Sequence, residues 1–306
     1  MLEVKEHVPL AELTTFNIGG PAKYVIKVHS EDDIRVAISW AHDKKIPFVI
    51  LGGGSNVLVP DAGIDKLVIW VSGGHFSFAH TEIAADAGCN LLEVIRAAAA
   101  HGLGGWESLS GIPGTIGGAV RGNAGAFGTE MRDVLHKVRA INTNTGAMRA
   151  FVNAECGFAY RNSFFKHHPK WIITRAYFEL KRIQPTASDH LITETIAERE
   201  RRHLQNVRAA GSFFMNPVAP REIQEMFEKE KNAKSREGRV PAGWLIEKVG
   251  MKGARVGGAI ASQQHPNYLV NENSASAKNV LELAAQIKAK IRQEFEIELQ
   301  EEAAIL

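Results

Sequence analysis

The amino-acid sequence predicts an α+β protein, and three observations support that class. Two successive segments each combine strand-like apolar runs with a helix-like run, and each contains a glycine-rich stretch. Helices and strands mixed in this way are typical of α+β units. The length of 306 residues also exceeds the ~100–200 residues usual for one domain, so more than one domain is expected.

The first α+β unit lies between residues 22 and 71. Its predicted strands cover 22–28, 47–51, 57–59 and 67–71. Ser30 is placed to cap a helix, because apolar residues follow it at helical spacing, namely Ile34, Ala37, Ile38 and Ala41. The second strand leads directly into a glycine loop made of Gly52, Gly53, Gly54, Ser55 and Asn56.

The loop at 52–56 matches neither common phosphate-binding motif. A P-loop ends in Gly-Lys followed by Ser or Thr, which is absent, and a Rossmann loop is followed at once by a helix. Here residues 57–60 look like a strand and then a turn. The backbone N–H groups of such a loop can form an anion-binding nest, although an ordinary turn explains the loop equally well.

The second unit has a similar organisation. Asn90 begins a predicted helix that Gly102 ends. A hairpin is predicted at 134–152 and a further strand at 171–180. Between the helix and the hairpin lies a second glycine-rich stretch, 111–128. Two glycine loops in successive units are expected if both close on one large dinucleotide.

The stretch at 111–128 contains seven glycines and three alanines but a single charge, Arg121. Glycine lets a backbone approach a rigid ligand closely and tolerates positive φ. A flexible linker would be richer in serine and other polar residues. A packed ligand loop is therefore favoured over a linker, because apolar side chains are interleaved with the glycines, namely Ile112, Ile116, Val120 and Phe127.

The remaining sequence indicates a second half of the chain. A charge-rich helix predicted at 189–202 marks the boundary, and its arginine run is either a solvated helix face or a contact to a phosphorylated ligand. Ser276 caps a long helix with a core-facing stripe, and a strand-like segment at 295–306 follows. Earlier in the chain, Arg161 has aromatic and glycine neighbours, which favour a pocket where its guanidinium grips a carboxylate.

Composition excludes several classes of partner. The net charge of +2 is too small to indicate nucleic acid or a membrane surface. No run approaches the ~18 apolar residues of a membrane span and the N-terminus lacks an apolar signal core, so a cytoplasmic protein is predicted. Cys89 and Cys156 are far apart, without a Cys/His set at zinc spacing, so two buried inert thiols and no metal site are expected.

Seven motifs, in the same order, resemble the shorter subtype of the UDP-N-acetylenolpyruvoylglucosamine reductase family. They are TTFNIGGPA at 14–22, GGGSN at 52–56, SGIPGTIGGAVRGNAGAFG at 110–128, GFAYRNSFFK at 157–166, GSFFMNP at 211–217, PAGWLIE at 241–247 and SQQHPNYLVN at 262–271. The resemblance extends from about residue 14 to 302, nearly the whole chain. Seven ordered motifs are far more specific than any one of them.

This family consists of flavoenzymes of bacterial peptidoglycan precursor synthesis. The resemblance implies an FAD-binding fold of the vanillyl-alcohol-oxidase type in two subdomains, 1–72 and 73–200, and a smaller α+β substrate-binding domain at 201–306. It implies non-covalently bound FAD, NADPH as the hydride donor, and reduction of the enolpyruvyl ether of UDP-N-acetylglucosamine to UDP-N-acetylmuramate. A monomer is expected.

The resemblance also implies roles for individual residues. Arg161 would hold the substrate carboxylate, Ser212 would donate the proton and Glu302 would support the intermediate. Cofactor-binding positions are Gly52, Gly53, Gly54, Ser55, Asn56, Gly111, Pro113, Gly114, Thr115, Gly117, Gly118, Gly122, Asn123, Ala124 and Gly125. Substrate-binding positions are Tyr160, Arg202, Asn216, Gln264, His265, Asn267 and Tyr268, of which His265 could equally be a structural hydrogen-bonding histidine.

The chain departs from the family pattern at three places. Glu302 is followed by only four residues, whereas the family commonly continues with Val-Arg-aromatic-Ile-Gly, so the anchoring of the tail is open. Met215 stands where the family often has lysine, which weakens any phosphate contact there. Glu301 adjoins Glu302, and register alone favours Glu302 as the catalytic residue.

Two other functions share the glycine loops. One is a flavin oxidase of the same superfamily that acts on an alcohol or sugar and passes electrons to oxygen. The other is a nucleotide-binding protein without turnover. Neither calls for the combination of Arg161, Ser212 and a glutamate near the C-terminus.

Overall fold

The computed structural model describes residues 2–202 and 206–306, which form two compact units. The first unit contains the residues up to Val8, Ala22–Gly53 and Asp65–Arg201. The second contains Pro9–Pro21, Gly54–Ile64 and the C-terminal segment that begins at Arg202. Helices and strands occur together in both units, which confirms the predicted α+β class.

The strands are β1 (Val4–Pro9), β2 (Pro21–Val28), β3 (Phe48–Leu51), β4 (Val57–Leu58), β5 (Ile64–Val71), β6 (Phe76–Ala79), β7 (Glu82–Asp86), β8 (Leu103–Gly104), β9 (Gly125–Ala126), β10 (Thr129–Glu130), β11 (Leu135–Asn142), β12 (Met148–Val152), β13 (Trp171–Glu179), β14 (Lys181–Arg182), β15 (Arg255–Val256), β16 (Ala259–Ala261), β17 (Leu269–Asn271) and β18 (Ala304–Ile305). The helices are α1 (Glu31–Asp43), α2 (Leu91–Ala100), α3 (Ile116–Gly122), α4 (Phe164–His167), α5 (Pro185–Arg201), α6 (Arg221–Lys231), α7 (Ala242–Lys248) and α8 (Ala277–Phe295).

The first unit is built on two sheets. One has four strands in the order β1-β2-β5-β3, and β3 pairs in parallel with β5. The other has five strands in the order β12-β11-β13-β7-β6, and all of its neighbours are antiparallel. The apolar faces of both sheets and of α1 and α2 contribute to one hydrophobic core, because each strand and helix must cover its apolar side.

Local sequence signals in this unit are confirmed. The Ser30 hydroxyl accepts the Asp33 N–H, and the Asp33 carboxylate accepts the Ser30 N–H, so a capping box begins α1. Asn90 caps α2 by accepting the N–H of Glu93 at 3.2 Å. The hairpin is β11 and β12, paired from Lys137 to Ile141.

The glycine-rich stretch differs from the predicted loop, because it contains the short helix α3. The Thr115 hydroxyl caps this helix by accepting the Gly118 N–H, and Asn123 ends it with φ of 44°. Three residues at helical spacing are buried, namely Ile116, Ala119 and Val120. Packing of this apolar face into the core outweighs the low helix propensity of three glycines.

The second unit combines three helices with a three-stranded antiparallel sheet, β15-β16-β17. The predicted apolar stripe of α8 is buried, namely Val280, Leu283, Ala284, Ile287 and Ile291. The predicted strand at 295–306 is wrong over most of its length. Helix α8 continues to Phe295, and only β18 is a regular strand, which pairs in parallel with β4.

Two further expectations concern the thiols and the membrane. Cys89 and Cys156 are buried and unpaired with each other, as predicted. Burial raises the pKa of Cys89 to about 11 and that of Cys156 to about 12, which leaves both thiols protonated at neutral pH. Over the described parts of the chain, no helix has the length and apolar character needed to cross a membrane.

Candidate active site

The first unit brings the two predicted cofactor loops together. A Cβ atom on Gly53 would lie 2.7 Å from the Cα of Gly114, and one on Gly52 would lie 2.7 Å from the Thr115 hydroxyl oxygen. Real Cβ atoms do not approach other atoms so closely, so both positions need glycine. The glycines therefore allow two backbone segments from separate parts of the sequence to touch.

Several amides of the second loop are already used within the protein. The Ile116 N–H donates to the Cys89 carbonyl at 2.9 Å, and the Gly117 N–H donates to the Ala87 carbonyl at 2.8 Å. Gly118 donates to its own helix cap, Thr115. These amides hold α3 in place. The stretch can still approach a flat ligand where side chains are absent. A Cβ atom added to Gly122 would meet no atom within 4 Å apart from its chain neighbours and its own helix backbone.

Asn123 and Ala124 connect α3 to its surroundings. The fully buried Asn123 amide donates to the Glu130 carboxylate at 2.8 Å and to the Ala159 carbonyl at 2.9 Å. Its side-chain oxygen accepts the Arg132 N–H at 3.1 Å. The Ala124 N–H donates to the carbonyl of Ala119. Asn123 therefore ties the glycine stretch to the segment that carries Arg161.

Arg161 lies against the end of the same stretch. Its guanidinium donates to the Gly125 carbonyl at 3.0 Å and lies 5.2 Å from the centre of the Tyr160 ring. Its own carbonyl accepts a hydrogen bond from Lys166 at 2.7 Å, and its φ is 52°. The cation is thus held by a main-chain contact and a neighbouring ring, and a planar guanidinium suits bidentate binding of a carboxylate.

In the second unit, Ser212 precedes a short extended segment, Phe213 to Met215. The Phe213 N–H donates to the Asn267 carbonyl at 2.7 Å, and the Glu302 N–H donates to the Phe213 carbonyl at 2.8 Å. Phe214 forms an antiparallel bridge with Glu301. Residues 212 and 302, which are 90 positions apart in the sequence, are therefore brought to adjacent backbone segments.

The two neighbouring glutamates have different environments. The carboxylate of Glu301 forms a salt bridge with Lys288 of α8 at 2.9 Å. The Glu302 main chain is held on both sides, because its N–H binds Phe213 and its carbonyl accepts the Asn56 side chain at 3.2 Å. Lys288 thus engages the Glu301 carboxylate, and the main chain of Glu302 is fixed beside the segment that carries Ser212.

Main-chain hydrogen bonds anchor the residues that follow Glu302. The Ala304 N–H donates to the Asn56 carbonyl at 3.0 Å, and the Leu306 N–H donates to the Leu58 carbonyl at 3.1 Å. These bonds make β18 a parallel partner of β4, directly after Gly54, Ser55 and Asn56. Asn56 thus contacts the tail with both its side chain and its main chain.

The predicted substrate-binding residues of this unit fall into two groups. The Ser262 hydroxyl accepts the N–H groups of Gln264 and His265, each at 3.2 Å, and the rings of His265 and Tyr268 are 4.8 Å apart. Asn216 accepts the Ala242 N–H at the start of α7 at 3.0 Å. Gln264 to Tyr268 therefore share one tight turn, and Asn216 contacts the start of α7.

Asn267 is the most enclosed residue of that turn. The residue is 2% exposed, and its side chain bonds to both main-chain groups of Phe214.

In the arginine run, Arg199 is buried, Arg201 pairs with Glu198, and Arg202 is exposed. Because Arg199 is buried, the run is not a uniformly solvated helix face, and its contact to a phosphorylated ligand stays a prediction.

Sequence reasoning missed Lys288, Glu130 and the main-chain role of Asn267. Their contacts join residues that are 7, 13 and 53 positions apart in the sequence, and no motif gives a signal for them. Among the described residues, no group of three or more metal-ligating side chains is present.

Two protein-family models match separate parts of this sequence. Residues 202–306 match the family model for the C-terminal domain of UDP-N-acetylenolpyruvoylglucosamine reductase, and residues 22–151 match the model for an FAD-binding domain. The UDP-N-acetylenolpyruvoylglucosamine reductase of Solibacter usitatus is 34% identical over 302 residues, which cover 98% of this chain and 96% of the relative. That of Caldanaerobacter subterraneus is 34% identical and covers 97% of this chain and 92% of the relative.

A solved structure is similar over the same length. The crystal structure of UDP-N-acetylenolpyruvylglucosamine reductase from Thermus caldophilus is 32% identical, covers 100% of this chain and 99% of that one, and superposes with a TM-score of 0.78. These matches confirm the predicted FAD-binding fold, and the paired glycine loops fit a flat cofactor that approaches bare backbone. The protein is an FAD-dependent oxidoreductase, and it belongs to the UDP-N-acetylenolpyruvoylglucosamine reductase family.

Proposed function

We propose that this protein uses NADPH to reduce the enolpyruvyl ether of UDP-N-acetylglucosamine enolpyruvate to UDP-N-acetylmuramate for peptidoglycan synthesis. The observation that carries the proposal is the similarity over nearly full length to relatives named for this reduction. Overall, the enol ether gains one hydride and one proton, and NADPH becomes NADP⁺. Bound FAD supplies the hydride chemistry, as flavins do in other oxidoreductases.

The proposed role of Arg161 follows from where charge develops. Hydride addition at the methylene carbon leaves an electron pair on the neighbouring carbon, which bears the carboxylate. A fixed cation at that carboxylate stabilises charge that exists only after the addition, and this differential binding lowers the barrier. The contacts of Arg161 with Gly125 and Tyr160 support a preorganised guanidinium.

Ser212 is proposed to supply the proton. Its hydroxyl proton is transferred to the carbon next to the carboxylate, a C–H bond forms, and the serine oxygen recovers a proton from its surroundings. Glu302, as a protonated acid, stabilises the charge before this transfer. The hydrogen bond between the Glu302 N–H and Phe213 supports a joint role, since it links the segments that carry both residues.

The other predicted residues are proposed to bind the two ligands. Gly52 to Asn56 and the positions predicted within 111–125 bind FAD. The UDP-sugar is bound by Tyr160, Arg202, Asn216, Gln264, His265 and Tyr268.

The protein is proposed to have three domains, with boundaries at 72/73 and 200/201. It acts as a cytoplasmic monomer without a nucleic-acid partner or membrane insertion. Light scattering in solution tests the monomer, and a stable dimer contradicts it.

Ser212→Ala tests the mechanism. Flavin reduction by NADPH should change less than twofold, while reoxidation of the reduced flavin by the enolpyruvyl UDP-sugar should slow by about 10²–10⁴-fold, the range of a lost general acid. Ser235→Ala is the matched control. The Ser235 hydroxyl donates to Gln224 and Glu228, which belong to the same unit and were not predicted to bind a ligand. Equal loss in both half-reactions would make Ser212 structural.

A further inference from the structure

We infer that Asn267 is a positioning residue, which fixes the register of the Ser212-bearing segment for proton donation instead of binding the UDP-sugar. The inference rests on the proposed function for the role of Ser212. The proposed function names Ser212 as the proton donor, and the inference adds which residue holds Ser212 in position.

The Asn267 side chain copies the hydrogen bonding of a peptide group. Its oxygen accepts the Phe214 N–H at 3.0 Å, and its NH₂ donates to the Phe214 carbonyl at 2.8 Å. The main-chain carbonyl of Asn267 also accepts the Phe213 N–H at 2.7 Å. One residue therefore bonds three of the four main-chain groups of Phe213 and Phe214, within two positions of Ser212.

These contacts are internal to the second unit and shielded from water. Asn267 is 2% exposed, Phe213 is 1% exposed and Phe214 is fully buried. A buried polar group must find partners, and the amide of Asn267 satisfies a donor and an acceptor of Phe214 that would otherwise lie unpaired in an apolar core. Both the oxygen and the nitrogen of the Asn267 side chain thus bond to the protein backbone.

Asn267 bonds to one side of residues 213–215, and the C-terminal tail bonds to the other. The Phe213 carbonyl accepts the Glu302 N–H, and the Met215 N–H donates to the Gln300 carbonyl at 2.9 Å. Residues 213–215 are therefore held between Asn267 on one side and the C-terminal tail on the other. Loss of the Asn267 contacts would let residues 213–215 shift relative to the glutamate segment, and Ser212 would shift with them.

Residue chemistry makes asparagine specific for this place. Leucine has the same branching at Cγ but is larger and forms neither hydrogen bond. Aspartate keeps the acceptor for the Phe214 N–H, but it donates to the Phe214 carbonyl only while protonated. Burial raises the pKa of a carboxyl group, so the protonated form of Asn267→Asp persists at higher pH than that of an exposed aspartate.

Asn271 offers a matched control in the same unit. It is 3% exposed, and its side chain also bonds to main-chain groups, donating to the carbonyls of Phe16 and Asn17 and accepting the Ala275 N–H at 2.8 Å. Its partners lie outside the segment that carries Ser212. Substitution of Asn271 should thus cost stability without a selective effect on proton donation.

The test measures both half-reactions anaerobically on FAD-loaded wild type, Asn267→Leu, Asn267→Asp and Asn271→Leu. For Asn267→Leu, reoxidation by the enolpyruvyl UDP-sugar should slow by about 10–100-fold, the size expected for a misplacement of about 1 Å. Flavin reduction by NADPH and the KM for the UDP-sugar should change less than threefold. Asn267→Asp should reoxidise at nearly the wild-type rate at low pH and lose that rate as pH rises.

Three results would overturn the inference. A raised KM for the UDP-sugar with unchanged reoxidation at saturation would make Asn267 a substrate ligand. Similar effects of Asn267→Leu and Asn271→Leu on both half-reactions would make its role only structural. Wild-type pH dependence in Asn267→Asp would remove the hydrogen-bond argument, and this variant remains informative if Asn267→Leu does not fold. Failure of wild-type reoxidation by the UDP-sugar would contradict the proposed function instead.

Discussion

Gly53→Ala perturbs the contact between the two glycine loops at the cofactor site. The added methyl carbon would lie 2.7 Å from the Gly114 Cα and 3.3 Å from its carbonyl carbon. Carbon atoms prefer separations of about 3.5–4.0 Å, so one backbone must move by roughly 1 Å. Overpacking of this kind costs about 1–3 kcal/mol. If the strain is relieved when the loops separate in the apo protein, FAD should bind about 5–150-fold more weakly.

The assay is titration of apo protein with FAD, followed by the quenching of flavin fluorescence. Gly243→Ala is the control, because its methyl group would meet other atoms only at 3.7–3.9 Å, an ordinary van der Waals contact, and alanine favours helix α7. The control should bind FAD as the wild type does. A dissociation constant within twofold of wild type for Gly53→Ala would refute the view that this close approach shapes the cofactor site.

Three other predictions concern the catalytic glutamate, the Asn123 network and the thiols. Glu302→Gln should slow flavin reoxidation by the UDP-sugar at least about 100-fold, whereas Glu301→Gln should change it less than threefold; the opposite order would reverse the assignment. Asn123→Ala should lower the free energy of unfolding by about 3 kcal/mol in urea titrations, because the fully buried Asn123 side chain loses its three hydrogen bonds, and a loss below about 0.5 kcal/mol would contradict this. Cys89 and Cys156 should resist alkylation at pH 8 in the native protein, since burial holds each pKa at about 11 and about 12, and should react once unfolded; rapid native labelling would disprove the burial.

The thiol pKa values also set the direction of a pH effect on stability. Both pKa values lie above the unperturbed value of 9.0, so the folded state retains protons that the unfolded state releases. The stabilisation is fully present below about pH 9 and is lost as pH rises toward 11 and 12.

The parts of the fold that the sequence predicts are those encoded locally. The Ser30 cap, the Asn90 cap and the stripe of α8 depend on residues within a few positions of one another. Helix α3 was not predicted, because its three glycines mask a buried apolar face that only tertiary packing makes decisive. The strand-like sequence after Phe295 likewise gave no sign that regular strand pairing is confined to Ala304 and Ile305, with one isolated bridge at Glu301.

The site shows the same division. Motif order was sufficient to find the glycine loops and to nominate Arg161 and Ser212. The salt bridge of Glu301 with Lys288, 13 positions away, has no sequence signature, and the assignment of Glu302 as the catalytic residue stays a prediction. The hydrogen bonds between Asn267 and Phe214 span 53 positions, so the motif nominates Asn267 for contact with the UDP-sugar but cannot tell a ligand from a supporting residue.

The central claim is that electrons pass from NADPH to the enolpyruvyl UDP-sugar, and anaerobic reoxidation of the reduced flavin measures it most directly. Purified protein should be yellow, lose its colour with NADPH in the absence of oxygen, and regain it on addition of the UDP-sugar with one UDP-N-acetylmuramate formed per flavin. Recovery of colour only when oxygen is admitted would contradict the account and indicate an oxidase.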